Sequence, residues 1–464
     1  LIFLKMAHEF SQPPYDRDLG VPKEYQWPNL TTKRGAELEA FYISLLRELG
    51  NYPGMLGQIY TKSQNRINDP AKLQRLIKMI EETSWTGIDA DTLGDIYEDL
   101  LERNAADTKT GAGQYFTPRS LISAMVACIQ PEPGKTIADP ACGSGGFFLA
   151  AQQYITEHYA ATLDKSQKKF LKTQTFHGHE IVANTRRQCL MNLYLHNIGD
   201  LSGEVLISGA DALTTSSSST YDYVLANPPF GIKSSITITN ADGSQAKEDL
   251  TYNRQDFWTS TSNKQLNFVQ HIKSMLKSTG QAAIVVPDNV LFESGAGETV
   301  RQQLLNTTEV HTILRLPTGI FYSPGVKANV VFLQNHEASA TPWTKEIWYY
   351  DYRTNVHHTL KQRPMTEEHL KEFLSCYNTA NRFERQATWD ESENPAGRWR
   401  KYSYDEIIAR DKTSLDIFWL KDKSLTDMDA LPPPDILAAE IVDNLQAALQ
   451  SFEEVAESLN NETS

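Results

Sequence analysis

The chain has 464 residues, with 58 acidic against 44 basic side chains and a formal net charge of -14. That is the opposite of the basic balance of a protein that grips nucleic acid unaided. Four scattered cysteines, Cys128, Cys142, Cys189 and Cys376, form no Cys-x-x-Cys pair, which excludes a zinc ribbon and a disulfide framework and fits a reducing cytoplasm. His177 with His179, and His357 with His358, lack further ligands at a recognisable spacing, so no metal is expected.

The length predicts two or three domains, and no apolar run reaches the roughly 20 residues that span a bilayer. Leu1 to Met6 reads as the interior of a helix rather than a signal peptide, and an N-terminal piece is expected ahead of it. Up to residue 105, apolar residues recur at helical spacing, as in Phe41, Leu45, Leu46 and Leu49 and in Leu73, Leu76, Ile77 and Ile80. This predicts an all-helical N-terminal domain over 1–105, ending in a helix from Asp91 toward Asn104. From 106 to 380, glycine-punctuated loops alternate with short apolar runs. Strands are expected at Thr136 to Asp139, Thr175 to Glu180, Glu204 to Ser208, Tyr221 to Ala226, Gln281 to Val286, Thr312 to Leu316 and Val330 to Leu333. Helical stretches between them predict a doubly wound α/β sheet, which binds ligands at the carboxyl ends of its strands. Residues 381–430, rich in charge and holding Trp389, Trp399 and Trp419, read as a connector that leaves the sheet. Beyond Leu431-Pro432-Pro433-Pro434, the residues Ala438, Ile441, Leu445, Ala448, Phe452, Val455 and Leu459 alternate by three and four. They predict a helix in 431–464 that docks either on its own domain or on a partner.

Unusual sequences cluster at the strand ends. After Ile137-Ala138-Asp139 come Gly143, Ser144, Gly145 and Gly146, small residues that let a ligand approach the backbone and the N-terminus of a helix. The loop lacks the Lys-Ser/Thr of a phosphate-binding P-loop. Glu180 closes the next strand, placed to take both hydroxyls of a ribose, and Asp211 follows a third, placed to accept from an adenine amino group. One such acid is routinely a helix cap; three near one glycine loop favour an adenosyl ligand. Asn227-Pro228-Pro229-Phe230 then follows Tyr221 to Ala226. The tripeptide makes an ordinary turn. It also offers an amide oxygen and a proline carbonyl to the two N–H groups of a planar amine, with Phe230 as a stacking face for a base.

Taken in order, Gly111 to Arg119, Asp139 to Phe147 and Asn227 to Phe230 resemble the modification subunit of type I restriction-modification systems. The likeness extends to Gly94 to Glu98, Val286 to Phe292 and Leu316 to Phe321, and so covers nearly the whole chain. It implies a Rossmann-like S-adenosylmethionine-dependent methyltransferase domain, preceded by the helical domain and followed by the helical tail. It implies adenine N6 methylation of double-stranded DNA by base flipping, with Asn227, Pro228, Pro229 and Phe230 at the catalytic centre. Gln114, Tyr115, Phe116, Thr117, Pro118 and Arg119 would line the methionine end of the cofactor. Asp139, Gly143, Ser144, Gly145 and Gly146 would form its loop, Glu180 would hold the ribose, and Asp211 would meet the adenine. A separate specificity subunit would read sequence, which removes the conflict with the acidic charge. A restriction subunit joins the full complex, with two copies of this chain expected per specificity subunit and a cytoplasmic location. Lys233, Arg254 and Lys264 are candidates for backbone phosphates. The competing classes are an amino-methyltransferase acting on RNA or protein glutamine, and a non-catalytic cofactor-binding scaffold.

Overall fold

A computed structural model of the chain describes residues 1–17, 20–85, 117–217, 219–231, 235–239, 245–249, 251–321, 326–360 and 363–422, with isolated positions of the tail. The helices of the first 85 residues are α1 (Ile2–Phe10), α2 (Trp27–Thr31), α3 (Gly35–Gly50), α4 (Gly54–Tyr60) and α5 (Pro70–Glu81). There follow α6 (Arg119–Ile129), β1 (Ile137–Asp139), α7 (Gly146–Tyr159), α8 (Lys165–Thr173), β2 (Phe176–His179), α9 (Ala183–Leu195), β3 (Ile207–Ser208) and β4 (Tyr221–Ala226). The hairpin β5 (Ser235–Thr239) and β6 (Gln245–Asp249) leads to α10 (Lys264–Met275), β7 (Leu276–Pro287), α11 (Asp288–Phe292), α12 (Ala296–Thr307), β8 (Thr308–Arg315) and β9 (Ala328–Asn335). Last come β10 (Glu346–Asp351), α13 (Lys371–Tyr377), β11 (Trp399–Ser403) and α14 (Tyr404–Ile408). All seven expected strands form, within a few residues of their expected ends.

One compact unit joins Leu1–Gly111 to Cys142–Asp211. Its helices bury the stripes their spacing predicted, with Leu45, Leu46 and Leu49 from α3 and Leu73, Ile77 and Ile80 from α5. Lys5 is buried too, and is stabilised by the Glu81 carboxylate 2.8 Å from its Nζ. The helical segment does not stand apart from the α/β segment of this unit. Arg17 donates to the carbonyl of Leu195 at 3.1 Å, and the Leu56 amide donates to that of Leu201 at 2.9 Å. A parallel pair, β2 beside β3, completes the unit, with His179 level with Ser208. The boundary expected at 105, the helix of 91–104 and the Gly94 to Glu98 motif lie outside the described residues.

The second unit joins Ala112–Ala141 to Ala212–Ser464. Its strands run in the order β11-β10-β8-β9-β7-β4-β1. β1, β4 and β7 are parallel neighbours, whereas β9 lies antiparallel to both β7 and β8. Val224 and Ala226 of β4 pack with Leu266, Ile272, Val300 and Leu304 of α10 and α12. Tyr223 and Leu225, out of phase with them, are equally buried, and α6 packs on β4 and β7. Both faces of these strands are therefore covered, which is why they read as near-continuous apolar runs.

Residues 381–430 do not leave the sheet as expected. They supply β11, paired antiparallel with β10, and Trp399 is fully buried with its ring stacked on Trp348 at 5.1 Å. A strand edge has unpaired backbone groups to satisfy, and this segment caps it. Of the tail helix, only isolated turns are described, among them the exposed Ile441, Val442 and Leu445. No helix among the described residues is long and apolar enough to cross a membrane.

Candidate active site

Asn227 stands one residue beyond β4, a strand paired on both sides by parallel neighbours. Its Nδ2 donates to Thr117 Oγ1 at 2.8 Å, and its Oδ1 is buried with no hydrogen-bond partner among the described residues. A buried acceptor left bare costs about 1–3 kcal/mol, so it calls for an explanation. Pro228 is buried and Pro229 half-buried. Two successive prolines fix φ and remove two backbone donors that would compete for that oxygen. Phe230 is only 9% exposed, and Phe321 stands edge-on to it with ring centroids 5.6 Å apart at 81°. The ring is thus not the open platform expected of a stacking face; a base would have to displace part of its cover.

Thr117 is itself buried, immediately before Pro118 and α6. Gln114, Tyr115 and Phe116, with the preceding Gly111 to Gly113, lie outside the described residues. Arg119 is exposed. Asp139 ends β1 at the same edge as Asn227; it is 2% exposed, and its Oδ1 accepts from the Ala141 amide at 2.9 Å.

The first unit carries the remaining candidates. Gly143 and Gly145 have φ of 54° and 89°, left-handed values that side chains resist, and a Cβ on Gly145 would lie 3.0 Å from Cys189 Sγ. Gly145 precedes α7, and no side chain caps that helix, so its N-terminal amides face the loop. Ser144 accepts through its carbonyl from Asn192 Nδ2 at 3.1 Å. Glu180 follows β2, and its carboxylate accepts from the Val182 amide at 2.7 Å. Burial pushes the Glu180 carboxyl up, against the Val182 bond, the neighbouring Gly143 amide and the nearby Arg186. Asp211 lies three residues past β3, close enough to His179 to oppose the lowering of that imidazole by burial. Ile181, directly after Glu180, is 63% exposed.

Of the three phosphate candidates, Arg254 is turned inward. It is buried, paired with Asp256, 3.0 Å from His271 Nδ1 and stacked on Phe257. Its partner two residues on, not a phosphate, satisfies its charge. Lys264 opens α10 half-buried, and Lys233 lies outside the described residues. Sequence reasoning missed the Thr117 to Asn227 bond and gave Phe321 no role; its position in Leu316 to Phe321 was the available signal.

A sequence model described as N-6 DNA Methylase matches residues 88–414. The StySPI type I restriction enzyme methylase subunit of Salmonella potsdam is 38% identical over 97% of this chain and 88% of its own length. The chain belongs to the family of type I restriction enzyme methylase subunits. The EcoKI methylase subunit of Escherichia coli K12 is 37% identical over 98% of this chain and 88% of its own length. The crystal structure of the EcoKI M protein superposes with a TM-score of 0.57, covering 100% of this chain and 90% of that one at 31% identity. A modification subunit of a type I enzyme from Vibrio vulnificus shares the fold, with a TM-score of 0.70 over 93% of this chain and 92% of that one at 23% identity. As a type I methylase subunit, this chain is an adenine-specific DNA methyltransferase, and methyltransferases of this fold use S-adenosylmethionine.

Proposed function

We propose that this methylase subunit transfers its methyl group to the 6-amino group of adenine at Asn227-Pro228-Pro229-Phe230, and that the bare Asn227 Oδ1 is the observation that carries the assignment. An exocyclic amine is a poor nucleophile because its lone pair is delocalised into the ring. Two acceptors, Asn227 Oδ1 and the Pro228 carbonyl, each take one N–H and hold that lone pair out of conjugation. Phe230 and Phe321 then offer aromatic surface to a flipped base, where stacking contributes roughly 1–3 kcal/mol. Alignment and electrostatics do the work, with no covalent enzyme intermediate.

The cofactor residues fit an adenosyl ligand. The Gly143 position is an open cradle in which an added Cβ would meet nothing within 4 Å. A carboxylate offers about four acceptor sites, so Glu180 keeps sites for ribose hydroxyls beyond its bond to the Val182 amide. When bound, S-adenosylmethionine supplies the methyl group on a sulfonium leaving group. Asp139, Gly143, Ser144, Gly145 and Gly146 would surround it, Asp211 would accept from its adenine, and Gln114 to Arg119 would lie toward its methionine end.

The acidic charge and the exposed Ile441, Val442 and Leu445 support a division of labour in which a specificity subunit reads the sequence and packs on the tail. Two copies of this chain per specificity subunit, joined by a restriction subunit, complete the proposed assembly, and its place is the cytoplasm.

Transfer of labelled methyl from S-adenosylmethionine to DNA, RNA or protein, with and without the specificity subunit, tests the reading. Label should appear on adenine in DNA and only with the partner present. Label on protein alone would sink it.

A further inference from the structure

We infer that Thr117 is a positioning residue for the methyl acceptor, holding the Asn227 amide so that its oxygen faces the target amino group. The inference rests on the reading of Asn227 above. A terminal amide torsion has broad wells, so nothing in Asn227 itself keeps its plane in the one orientation that meets an incoming N–H. The structure supplies a restraint from a segment 110 residues earlier, because Asn227 Nδ2 donates to Thr117 Oγ1 at 2.8 Å. With the amide nitrogen engaged, the buried oxygen is the group left without a partner. When an amino group arrives, that arrangement gives the bare oxygen its donor and keeps the bond to Thr117. The rotated amide would set N–H against N–H.

Thr117 is well placed to act as a fixed point. The proline that follows it disfavours helical backbone at Thr117, and its own β-branch narrows χ1. Pro118 leads directly into α6, whose Leu121, Ile122, Met125, Val126 and Ile129 are buried and whose Ser120 Oγ donates to the Met365 carbonyl at 3.0 Å. That helix packs on β4, the strand that carries Asn227, and on β7. Thr117 and Asn227 are therefore held by elements that share one core. The resemblance places Thr117 toward the cofactor; its bond to Asn227 ties it to the acceptor as well.

The test compares Thr117→Ser, Thr117→Ala and Thr117→Val with Asn227→Ala, each in the full chain assembled with its specificity subunit. The readouts are the single-turnover methylation rate, the KM for S-adenosylmethionine, and affinity for the recognition duplex with adenine or an abasic site at the target. Losing the hydroxyl in the Ala and Val variants should lower the rate roughly 10- to 100-fold with the cofactor KM within about twofold. The Ser variant, which keeps the hydroxyl, should restore the rate to within about threefold of wild type. The preference for adenine over the abasic site should shrink in the Ala and Val variants as it does in Asn227→Ala. If the Val variant does not fold, the contrast between Ser and Ala still isolates the hydroxyl. A wild-type rate in Thr117→Ala beside an inactive Asn227→Ala overturns the positioning role and leaves Asn227 standing. A raised cofactor KM with an unchanged rate at saturation overturns it in favour of a cofactor contact. An active Asn227→Ala removes the acceptor reading and this inference with it.

Discussion

Glu180 and Asn227 each follow the carboxyl end of a strand, one in each compact unit, and each is assigned to hold N–H or O–H groups of a ligand. Their oxygens are in opposite conditions. The Glu180 carboxylate already accepts from the Val182 amide, with the Gly143 amide near enough to favour its ionised form. The Asn227 oxygen is buried and accepts nothing from the described residues. On the proposed assignment, Glu180 is braced by backbone before any ligand arrives, whereas Asn227 stands at a cost that a substrate would relieve. A group satisfied at rest contributes chiefly to binding. A group satisfied only when the amine is in place contributes to rate.

Substitutions at the two positions should separate these roles. The largest effect is expected from Asn227→Ala, which should lower the single-turnover rate by about 10²–10³-fold, the range for removing one preorganised polar contact at a reacting centre. Cofactor affinity, followed by titration calorimetry, should stay near wild type, and the melting temperature should hold or rise because a bare buried acceptor is gone. A fall in both would make Asn227 a structural residue and erase the contrast.

Glu180→Gln should act on binding instead, weakening S-adenosylmethionine by roughly 10- to 100-fold through loss of charge-assisted bonds. Its pH dependence carries a sign. Burial raises the Glu180 carboxyl above its ordinary value of 4.5. The ionised form that accepts from a ribose is therefore lost, as pH falls, earlier than for a free glutamate, and cofactor affinity should weaken in that window. Folding responds the other way, because a raised carboxyl contributes stability at low pH that is lost as pH rises through its folded value. The Gln variant should show neither limb. An acid limb that persists in the variant would assign it elsewhere.

The smallest change is expected from Phe230→Leu, which keeps volume but gives up the aromatic face. It should reduce kcat/KM for DNA by about 5- to 100-fold, the range of one base-stacking contact. Because Phe321 lies edge-on to the ring, Phe321→Leu should cost less, and an equal loss in the two would mean that both rings face the base.

Much of the second unit was legible because β1, β4 and the second half of β7 are buried on both faces and read as continuous apolar runs. β11 was not. Trp399-Arg400-Lys401-Tyr402-Ser403 carries two cations, and its pairing with β10 depends on residues 346–350, far away in sequence. Arg254 was misread because its charge is met by Asp256 and Phe257, two and three residues on, and by His271, which the fold brings to it. Glu180 and the glycines were readable from their place at strand ends. The Thr117 bond was not, because a motif assigns a residue to one ligand, and a contact across 110 residues leaves no trace in spacing.

The ladders on either side of β4 have a consequence for the entropy of reaction. Backbone pairing fixes the chain as far as Ala226, and Pro228 and Pro229 fix the two φ angles just beyond Asn227. The loss of freedom needed to aim an acceptor at a substrate has thus been incurred during folding and is not repeated at each turnover. Freedom returns at Gly231, whose φ of 139° and open surroundings suit no other residue as well. Ala226 to Pro229 is the stiff stretch, and Gly231 is a position beyond it with wider backbone freedom.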